Sequence, residues 1–542
     1  MLNIGGVYFK GIHCYIWAEG NEQLKNLSKY YNFTFQGGYA KISIIATTAL
    51  AMRYILYYAG ISNATRDGRR VFEQIKKVRE DSMSALKEKL MKHNMVPKDR
   101  PPYNHQLQSM IWSFTNLRVM LSLDMGLGKS ITSILKSEYL GLWPTLIVCP
   151  ASVKHNWYKS MTEDWGFDAI DFNVLFPETR KNIKGMRLNY IIINYESVKK
   201  YSKFFEEIGI KHIIADECHY VKNVRTGRYK SLVKLIKPDT HVTLLSGTPI
   251  TNKSDDAFAH MKTLGNKLGE NKNAFEQKYL KRIGQPGIKQ KVENQNLNEL
   301  RMYMANHFIR FTKEKCLDLP AKNYIQVRTE LGDFQEEYER IIREVEESEN
   351  RDRFMIESNV HSLSRVMSMA KVGVVSEVAR SIIESGEKVV IFGGYTDSLR
   401  MVEAEFKDSC VYIDGSVDSS KRGPLIDKFW KDENTNVFIG NMRAAGSGIE
   451  LFNATNVIFI NLPFIPAEFE QAVDRLHRIG QKNVVNIYMA TVTQTIDERI
   501  YKLMSAKMRD ITTLMDGKTI DMNSLNIAEV LADEIINRKI MA

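Results

Sequence analysis

Short hydrophobic runs rich in valine, isoleucine and leucine alternate with longer amphipathic segments from about residue 100 onward. Such runs are typical of buried parallel strands that are joined by helical crossovers. The first set predicts strands at residues 119–123, 145–149, 190–193, 212–215 and 242–245, and the second at 388–392, 411–413, 437–439, 457–460 and 486–489. Two sets of strands predict two α/β lobes.

Residues 1–97 follow a different pattern. Aromatic and β-branched runs, such as residues 6–17, come first, and a charged helical pattern covers residues 66–92. The most apolar stretch, residues 42–59, is interrupted by polar side chains. It falls short of the roughly 20 apolar residues that cross a membrane, so it predicts a buried helix. Pro101 and Pro102 mark an exposed linker at the end of this region.

The predicted fold class is α/β, with two tandem parallel-sheet lobes, helical protrusions and a small N-terminal α+β domain. A chain of 542 residues is longer than one hydrophobic core usually organises. The predicted domains are an N-terminal accessory domain at 1–97, a first lobe at 98–325, a second lobe at 326–515 and a C-terminal helical tail at 516–542. A helical protrusion is expected at about 252–312 and a helical connector at about 334–370.

The chain carries 75 Lys and Arg against 64 Asp and Glu, a formal net charge of +11. This excess favours a polyanionic partner, because Lys and Arg release counterions when they contact phosphates. The five cysteines form no Cys-x-x-Cys pair, so reduced thiols without structural zinc are expected. The start of the chain lacks a secretory signal pattern, which predicts a cytoplasmic rather than a secreted protein. The richness in Ile, Lys and Asn favours a bacterial or phage origin.

A glycine-rich loop follows the predicted strand 119–123. Its sequence is Asp124-Met125-Gly126-Leu127-Gly128-Lys129-Ser130, and a helical pattern comes next. Strand, glycine-rich loop and helix in this order form a phosphate cradle, in which backbone N–H groups close around phosphate oxygens. Lys129 would neutralise the β and γ phosphates and Ser130 would bind Mg²⁺. The usual loop has a glycine where this chain has Leu123, so a fortuitous glycine-rich turn is the alternative.

Two carboxylates follow another predicted strand, 212–215, in the string Asp216-Glu217-Cys218-His219. The carboxyl ends of parallel strands are where α/β proteins place their ligands. Asp216 fits a Mg²⁺ ligand, and Glu217 fits the group that orients and deprotonates an attacking water. Taken alone, an Asp-Glu pair at a strand end is usually a solvated turn. Its position downstream of a phosphate loop favours function.

Two further segments add to this candidate nucleotide site. Ser246-Gly247-Thr248-Pro249 follows the strand 242–245 and could link the nucleotide to a neighbouring surface, although as isolated letters it is only a turn. Upstream, the side-chain amide of Gln106 could read an adenine edge while Tyr103 packs nearby. The alternative for Gln106 is an ordinary surface glutamine.

The most specific string of the second lobe is Gln471-Ala472-Val473-Asp474-Arg475-Leu476-His477-Arg478-Ile479-Gly480-Gln481. Arg475 and Arg478 are spaced i, i+3 on a helical pattern, so both guanidinium groups could leave one face and meet a phosphate across a cleft. The alternative is a basic, solvated helix face, which does not predict the whole string.

Taken in order, these motifs resemble those of superfamily 2 helicases, and their wording resembles the Swi/Snf branch. Asp-Met-Gly-Leu-Gly-Lys-Ser, Ser-Gly-Thr-Pro, Ala445-Gly446-Ser447-Gly448-Ile449-Glu450-Leu451 and Asp474-Arg475-Leu476-His477-Arg478-Ile479-Gly480-Gln481 carry the likeness. Supporting matches include Ile309-Arg310. The resemblance covers about residues 100 to 515 and is similar in layout to the compact annealing-helicase, fork-remodelling and phage or bacterial members.

The resemblance implies two RecA-like lobes with ATP in the cleft, Mg²⁺ as cofactor and DNA laid across both lobes. The implied ATP-binding residues are Tyr103, Gln106, Met125, Gly126, Leu127, Gly128, Lys129, Ser130, Gly448 and Glu450. Ser130 and Asp216 would hold Mg²⁺, Glu217 would act on water, and Arg475 and Arg478 would sense the γ-phosphate. Gly448 and Glu450 would couple this site to DNA, and the implied DNA contacts are Ser152, Lys154, Tyr195, Glu196, Tyr395 and Arg443.

The resemblance therefore implies an ATP-dependent DNA translocase or helicase, monomeric and without a membrane, acting on duplex or branched DNA. The family usually has Asp-Glu before the Met of its phosphate loop, whereas this chain has Leu123-Asp124, so the charge there is displaced or halved. A nucleotide-gated DNA-binding module with little turnover and an RNA helicase are the alternatives. Residues 1–97 match no known pattern, so a packing domain, a fork-recognition module and a site for a protein partner stay open.

Overall fold

The computed structural model describes residues 2–515 except 5, 32, 98, 175–187, 248–253, 284–290, 348–352, 443–448 and 479, and it also describes residue 531. The chain divides into two compact units, Met1–Cys316 and Leu317–Ala542. Across the described residues, no helix combines the length and the apolar composition that crossing a bilayer requires.

The first 97 residues contain a five-stranded antiparallel sheet in the order β1-β2-β3-β5-β4. Its strands are β1 (Leu2–Ile4), β2 (Val7–Lys10), β3 (His13–Trp17), β4 (Phe33–Gln36) and β5 (Tyr39–Ser43). The helices of this region are Glu22–Leu27, Ala49–Tyr58 and Arg66–Lys92. The helix predicted over residues 66–92 is present with those bounds.

The single buried helix predicted over residues 42–59 is wrong for its first part. Strand β5 ends at Ser43, and the helix begins only at Ala49. Thr48 sets this start, because its hydroxyl accepts a hydrogen bond from the Ala51 N–H at 3.1 Å and satisfies a donor of the first helical turn.

The first parallel sheet has seven strands in the order β14-β6-β11-β10-β7-β9-β8. They are β6 (Arg118–Leu123), β7 (Thr145–Cys149), β8 (Phe172–Val174), β9 (Tyr190–Asn194), β10 (His212–Ala215), β11 (His241–Leu245) and β14 (Phe308–Phe311). Strands β12 (Leu280–Ile283) and β13 (Lys291–Asn294) form a separate antiparallel pair. The helices are Asn104–Phe114, Lys129–Leu140, Lys154–Lys159, Ser202–Ile208, Gly227–Lys234, Ser254–Thr263, Lys272–Tyr279, Leu297–Met304 and Lys313–Cys316.

The segment predicted as a helical protrusion, about residues 252–312, is only partly helical. Strand β14 lies at its end and pairs parallel with β6, with Arg310 opposite Ser122. The first lobe therefore takes its edge strand from the far end of this segment.

The second unit contains a six-stranded parallel sheet in the order β15-β20-β19-β16-β18-β17. Its strands are β15 (Lys322–Thr329), β16 (Val389–Gly393), β17 (Cys410–Ile413), β18 (Val437–Asn441), β19 (Asn456–Phe459) and β20 (Val485–Val492). The helices are Gln335–Glu347, Arg353–Ala370, Val372–Glu384, Thr396–Phe406, Ser419–Lys431, Pro466–Val473 and Ile496–Met515. The predicted lobe boundary between residues 325 and 326 falls inside β15, which pairs along its whole length with β20.

A buried ion pair fixes the last described helix of this unit. The Lys371 Nζ atom lies 2.5 Å from Asp497 Oδ2, and both side chains are almost inaccessible to solvent. Asp497 also accepts the Val492 N–H at 2.9 Å. Because a buried carboxylate needs such partners, the end of β20, the start of helix Ile496–Met515 and Lys371 form one joint.

The N-terminal region packs on residues 302–307 of the first lobe, just before β14. The Tyr31 hydroxyl donates to the Met302 carbonyl at 2.5 Å, and the Thr48 hydroxyl donates to the Ala305 carbonyl at 2.6 Å. Met302 and Ala305 belong to the same hydrophobic cluster as the buried residues of the antiparallel sheet. Residues 1–97 therefore share a core with the first lobe.

His307 closes this junction, and its titration predicts acid sensitivity. Its Nε2 atom lies 3.1 Å from the Tyr30 carbonyl oxygen, and burial lowers the pKa of the ring to about 4. An unfolded histidine has a pKa of about 6.5, so the neutral ring contributes stability that is full above that pH and is lost as the pH falls from about 6.5 to about 4.

We expect the wild type to lose roughly 1 to 2 kcal/mol more than a His307→Gln variant between pH 7 and pH 5. Glutamine stays neutral and can still donate to the Tyr30 carbonyl. Urea denaturation of the full chain, monitored by hydrogen exchange of residues 6–60, measures the difference in pH dependence between the two proteins. The buried His212 and His241 titrate in both proteins and cancel. Equal pH dependence of the two proteins would contradict the assignment.

Candidate nucleotide site

The glycine-rich loop connects β6 to helix Lys129–Leu140, in the predicted order. Gly126 and Gly128 have φ angles of +82° and +83°, in the left-handed region that glycine adopts without strain. A Cβ atom on Gly128 would lie 2.2 Å from Gln106 Nε2. The loop therefore needs glycine at 128 both for its backbone conformation and for its close approach to a neighbouring helix.

Two side chains of helix Asn104–Phe114 hold this loop through one carbonyl group. His105 Nε2 lies 3.0 Å from the Leu127 carbonyl oxygen, and Gln106 Nε2 donates to the same oxygen at 3.2 Å. The Gln106 Oε1 atom accepts the Tyr103 N–H at 3.0 Å. Gln106 is thus a buried residue that positions the loop, which excludes the surface-glutamine alternative.

Tyr103 begins the same helix and is 46% exposed. Its ring is parallel to His105 at a centroid distance of 5.7 Å. The predicted contact of Gln106 with an adenine edge stays a prediction, and Tyr103 offers an exposed aromatic surface beside it.

Lys129 is the first residue of its helix, and its Nζ atom donates to the Leu123 carbonyl at 2.7 Å. A Cβ atom on Gly247 would lie 3.9 Å from the same Nζ. The Ser246-Gly247 turn therefore lies beside the lysine. Met125 and Ser130 are half-buried parts of the same loop and helix, whereas Thr248 and Pro249 lie outside the described residues.

Asp216 and Glu217 follow directly after β10. Asp216 Oδ2 accepts the Trp157 indole N–H at 2.8 Å, and Asp216 Oδ1 accepts the Glu217 N–H at 2.9 Å. Burial, and then the charge of the neighbouring Glu217, raise the pKa of the Asp216 carboxyl to about 6, while Lys129 opposes this rise. The Asp216 carboxyl group is thus close enough to Lys129 for their charges to interact.

Glu217 has a φ angle of +48°, which is uncommon for a residue with a side chain. Such a conformation costs about 1 to 3 kcal/mol and persists where the surrounding structure enforces it. The Glu217 Oε2 atom lies 3.3 Å from His219 Nδ1. The strained turn fixes the direction of this carboxylate relative to Asp216.

Strands β6, β11 and β10 are adjacent in the sheet, so the three segments that follow them share one edge. The glycine loop, Ser246-Gly247 and Asp216-Glu217 are therefore brought together by the parallel topology. A glycine-lined cradle, a lysine and two partly buried carboxylates fit the phosphates of a nucleotide and a divalent cation.

Arg310 on β14 is a site residue for which the sequence predicted no role. Its guanidinium donates to the Gly247 carbonyl at 2.8 Å and to Ser122 Oγ at 3.1 Å, and it pairs with Asp124 Oδ1 at 3.1 Å. Asp124 Oδ2 also accepts the Lys313 N–H at 3.0 Å. The acid that this chain retains before Met125 is thus the partner of Arg310.

Trp157 was also missed, because it lies 59 positions before Asp216 and nothing in the sequence indicates their contact. Arg310 carried a signal, since it follows Ile309 in a short apolar run. That run was assigned to a helical protrusion, so its place beside the phosphate loop was not apparent.

In the second unit, the prediction that Arg475 and Arg478 lie on a helix is wrong. Helix Pro466–Val473 ends before both arginines, which lie in the turns that follow. Arg478 forms an ion pair with Glu450 at 2.8 Å, and Arg475 is 5% exposed. Two residues that the resemblance assigns to the nucleotide site are therefore in direct contact within this unit.

Gln481 and His477 hold the same turns in place through hydrogen bonds to backbone carbonyl groups. Gln481 Nε2 donates to the Phe452 and Ala454 carbonyls at 3.1 and 3.0 Å, and His477 Nε2 lies 2.7 Å from the Pro320 carbonyl oxygen. Gly480 is needed here, because a Cβ atom would lie 2.9 Å from the Phe452 ring. These contacts therefore hold the turns that follow helix Pro466–Val473 in place.

The residues predicted to contact DNA differ in how far they are exposed to solvent. Tyr195 is 1% exposed, and its hydroxyl donates to the Asp216 carbonyl at 2.6 Å. It therefore holds the turn that carries the carboxylates, and its side chain is not accessible to a DNA phosphate. Lys154 is also buried, whereas Tyr395 is half-buried near His361 and Glu196 pairs with Arg228 at 2.8 Å. Arg443, Gly448 and the side chain of Ser152 lie outside the described residues.

Two family models match the chain. The SNF2-related domain matches residues 72–385, and the helicase conserved C-terminal domain matches residues 370–480. Together they cover every strand of the two parallel sheets except β20, and they confirm the predicted two-lobed α/β fold class.

Curated relatives include the human DNA annealing helicase and endonuclease ZRANB3, which is 27% identical over 439 residues. That match covers 74% of this chain and 39% of the relative. An uncharacterized ATP-dependent helicase of Mycoplasma pneumoniae is 25% identical over 518 residues, covering 90% of this chain and 48% of the relative. The chain thus spans about two fifths to one half of the length of these relatives.

Among solved structures, the Sulfolobus solfataricus SWI2/SNF2 ATPase core in complex with double-stranded DNA is 23% identical, with a TM-score of 0.38. The match covers 81% of this chain and 96% of the Sulfolobus chain.

The SNF2-related domain model alone covers more than half of the residues of this chain. The chain therefore belongs to the SNF2-related family, and the prediction of a Swi/Snf-like superfamily 2 helicase is confirmed.

Proposed function

We propose that this protein is an ATP-dependent DNA translocase of the helicase type, which couples ATP hydrolysis to movement on duplex or branched DNA. Membership of the family implies ATP use. The observation that carries the proposal is the convergence of the glycine loop, Lys129 and the Asp216-Glu217 turn at one edge of the first sheet. The name of the human relative, a DNA annealing helicase and endonuclease, supports DNA as the substrate.

Each site residue has a distinct task in this proposal. The loop N–H groups and Lys129 bind the β and γ phosphates, with Met125 and Leu127 shaping the loop and Tyr103 and Gln106 beside the base. Ser130 and Asp216 hold Mg²⁺, which offsets the negative charge of the phosphate oxygens. Glu217 orients the attacking water and accepts its proton.

Arg475 and Arg478 serve as γ-phosphate sensors in this proposal, with Gly448 and Glu450 coupling the nucleotide to DNA. The Arg478–Glu450 ion pair supports the coupling role, because a change at either residue alters the partner of the other. Lys154, Tyr395, Ser152 and Arg443 remain proposed DNA contacts. We further propose a monomer in the cytoplasm of a bacterial or phage-infected cell.

The first prediction from the proposed function concerns turnover. We expect duplex or forked DNA to stimulate ATP hydrolysis by the wild type, and we expect Lys129→Ala and Glu217→Gln to abolish the stimulation. Glu217→Gln should still bind ATP, because the amide keeps the shape of the turn but accepts no proton. Phosphate release is measured without nucleic acid and with single-stranded DNA, duplex DNA, forked DNA and RNA.

Lys159→Ala is the matched control for the lysine change, since Lys159 is an exposed lysine of the same unit. An ATPase that no DNA stimulates would leave a nucleotide-gated binding module. Stronger stimulation by RNA than by DNA would indicate an RNA helicase.

A second prediction compares the two glycines that flank helix Lys129–Leu140. Gly128→Ala should lower ATP affinity roughly 10- to 100-fold, because its Cβ atom would collide with Gln106 and strain the loop. Gly141→Ala should leave the affinity unchanged and cost about 1 to 2 kcal/mol of stability, because Gly141 is also left-handed but its Cβ atom would have space. Fluorescent ATP-analogue titration measures both. Equal affinities of the two variants would argue against the cradle.

A third prediction separates the two roles of Arg478. If it senses the γ-phosphate, Arg478→Ala should lower kcat about 10³-fold with little change in ATP affinity. Glu450→Gln breaks the ion pair while keeping the arginine, and we expect a much smaller loss. Steady-state kinetics with saturating DNA give kcat and KM for each variant. Similar losses in both variants would show that Arg478 acts through its ion pair with Glu450.

A further inference from the structure

The antiparallel sheet of residues 1–97 has a second face that the hydrophobic core does not use. Side chains alternate along its strands, so Val7, Phe9, Cys14, Ile16 and Ile42 point to the core. The strand register places the intervening residues together on the outer face: Asn3, Tyr8, Lys10, His13, Tyr15, Trp17, Thr34, Gln36, Tyr39, Lys41 and Ser43.

Four of these residues form an aromatic group, Tyr8, Tyr15, Trp17 and Tyr39. Tyr8 lies opposite Tyr15, and Trp17 lies opposite Tyr39. The Tyr39 ring meets Trp17 edge to face at 4.9 Å and Tyr8 at 5.6 Å. The rings of Tyr8, Tyr39 and Trp17 are therefore in contact across three neighbouring strands, and Tyr15 lies on the same face opposite Tyr8.

Trp17 is held in place although it is 52% exposed. Its six-membered ring covers Gly38, where a Cβ atom would lie 2.7 Å from the indole. Gly38 has a φ angle of +80°, so glycine serves both the turn and the ring above it. An exposed indole that is already immobilised loses little side-chain entropy when a flat ligand stacks on it.

The charge of this face is positive. Lys10 and Lys41 lie among the aromatic rings, and none of the outer-face residues named above is acidic. Burial, and then the charge of Lys41, lower the pKa of His13, so the two lysines rather than the histidine carry the charge. Cations interleaved with aromatic rings complement a ligand that carries flat bases on an anionic backbone.

We propose that this outer face, defined by Tyr8, Tyr15, Trp17, Tyr39, Lys10 and Lys41, binds single-stranded DNA. The bases stack on the aromatic rings and the lysines contact the phosphates. Duplex DNA fits less well, because its bases already stack on each other and offer no free π-face. An apolar protein partner also fits less well, because these side chains carry hydroxyl groups, an indole N–H or charges, and aliphatic residues are absent from the outer-face set.

This site is separate from the nucleotide site and needs no ATP, so it does not rest on the proposed motor activity. Branched DNA contains single-stranded segments next to duplex. A stacking face on residues 1–97 adds a second kind of DNA recognition to the chain.

The test measures binding of a fluorescent 15-nucleotide oligo(dT) to the full chain by anisotropy, without ATP and with excess unlabelled duplex to occupy any duplex-binding surface. Trp17→Ala and Tyr39→Ala should each weaken binding about 5- to 100-fold, as expected for the loss of one stacked base. Lys41→Glu should weaken binding and flatten its salt dependence. Trp17→Phe should keep most of the affinity, because phenylalanine retains a stacking face.

Two matched controls lie in the same region but off this face. Tyr57→Ala removes an aromatic ring that is 74% exposed on helix Ala49–Tyr58, and Lys77→Glu reverses an exposed charge on helix Arg66–Lys92. Both should bind oligo(dT) like the wild type, and thermal unfolding should show every variant folded.

Three results would overturn the proposal: absence of oligo(dT) binding by the wild type, equal binding by Trp17→Ala and Tyr57→Ala, or tighter binding of oligo(rU) than of oligo(dT). A protein that binds oligo(dT) through Trp17 but shows no DNA-stimulated hydrolysis would support this site and contradict the proposed motor. The two failures are therefore distinguishable.

Discussion

The ion pair between Arg310 and Asp124 is the contact on which the geometry of the nucleotide site depends. Arg310 lies on the edge strand β14, and its guanidinium reaches across β6 to the end of β11. One planar group with several donors can satisfy a carboxylate, a hydroxyl and a carbonyl at once, which a lysine could not do. The start of the phosphate loop and the Ser246-Gly247 turn are therefore held at a fixed spacing, and Lys129 lies between them. Removing Arg310 would leave Asp124 partly buried beside the loop without its cation.

The sequence predicted the central strands well, because strands buried on both faces appear as unbroken apolar runs. Of the four edge strands, β17 was predicted and β8, β14 and β15 were missed, and β15 shows the opposite pattern. Strand β15 has no buried residue along its length and carries Lys, Asn, Gln and Arg, so its pattern resembles a polar connector. The residue 42–59 stretch was misread because a short apolar strand and a buried helix cannot be told apart by periodicity when they adjoin. Only the Thr48 cap, a side-chain to backbone contact, separates them.

Within the candidate site, Lys129, Asp216 and Glu217 were singled out from the sequence, whereas Arg310 and the contacts that position these side chains were not. The backbone carbonyl groups of Leu127, Leu123 and Gly247 each accept a hydrogen bond from a side chain. Because every residue has a backbone carbonyl, the sequence does not show which ones are used. The Arg475–Arg478 string shows the same limit. Its i, i+3 spacing suited a helix, yet the Gln481 amide binds two carbonyls and folds the string into a turn. Local periodicity was outweighed by a buried amide that needed partners.

Residues 302–307 connect the antiparallel sheet to the nucleotide site by a short and continuous path. On one side they receive Tyr31, Thr48 and the stacked ring of Tyr30. On the other side the His307 carbonyl accepts the Met120 N–H of β6, and the chain continues into β14 and Arg310. Packed side chains and backbone hydrogen bonds of this kind transmit displacement over short distances. Residues 302–310 therefore carry both the contacts that hold the antiparallel sheet and the strand whose Arg310 holds the phosphate loop, so the two regions are packed on one short segment of chain.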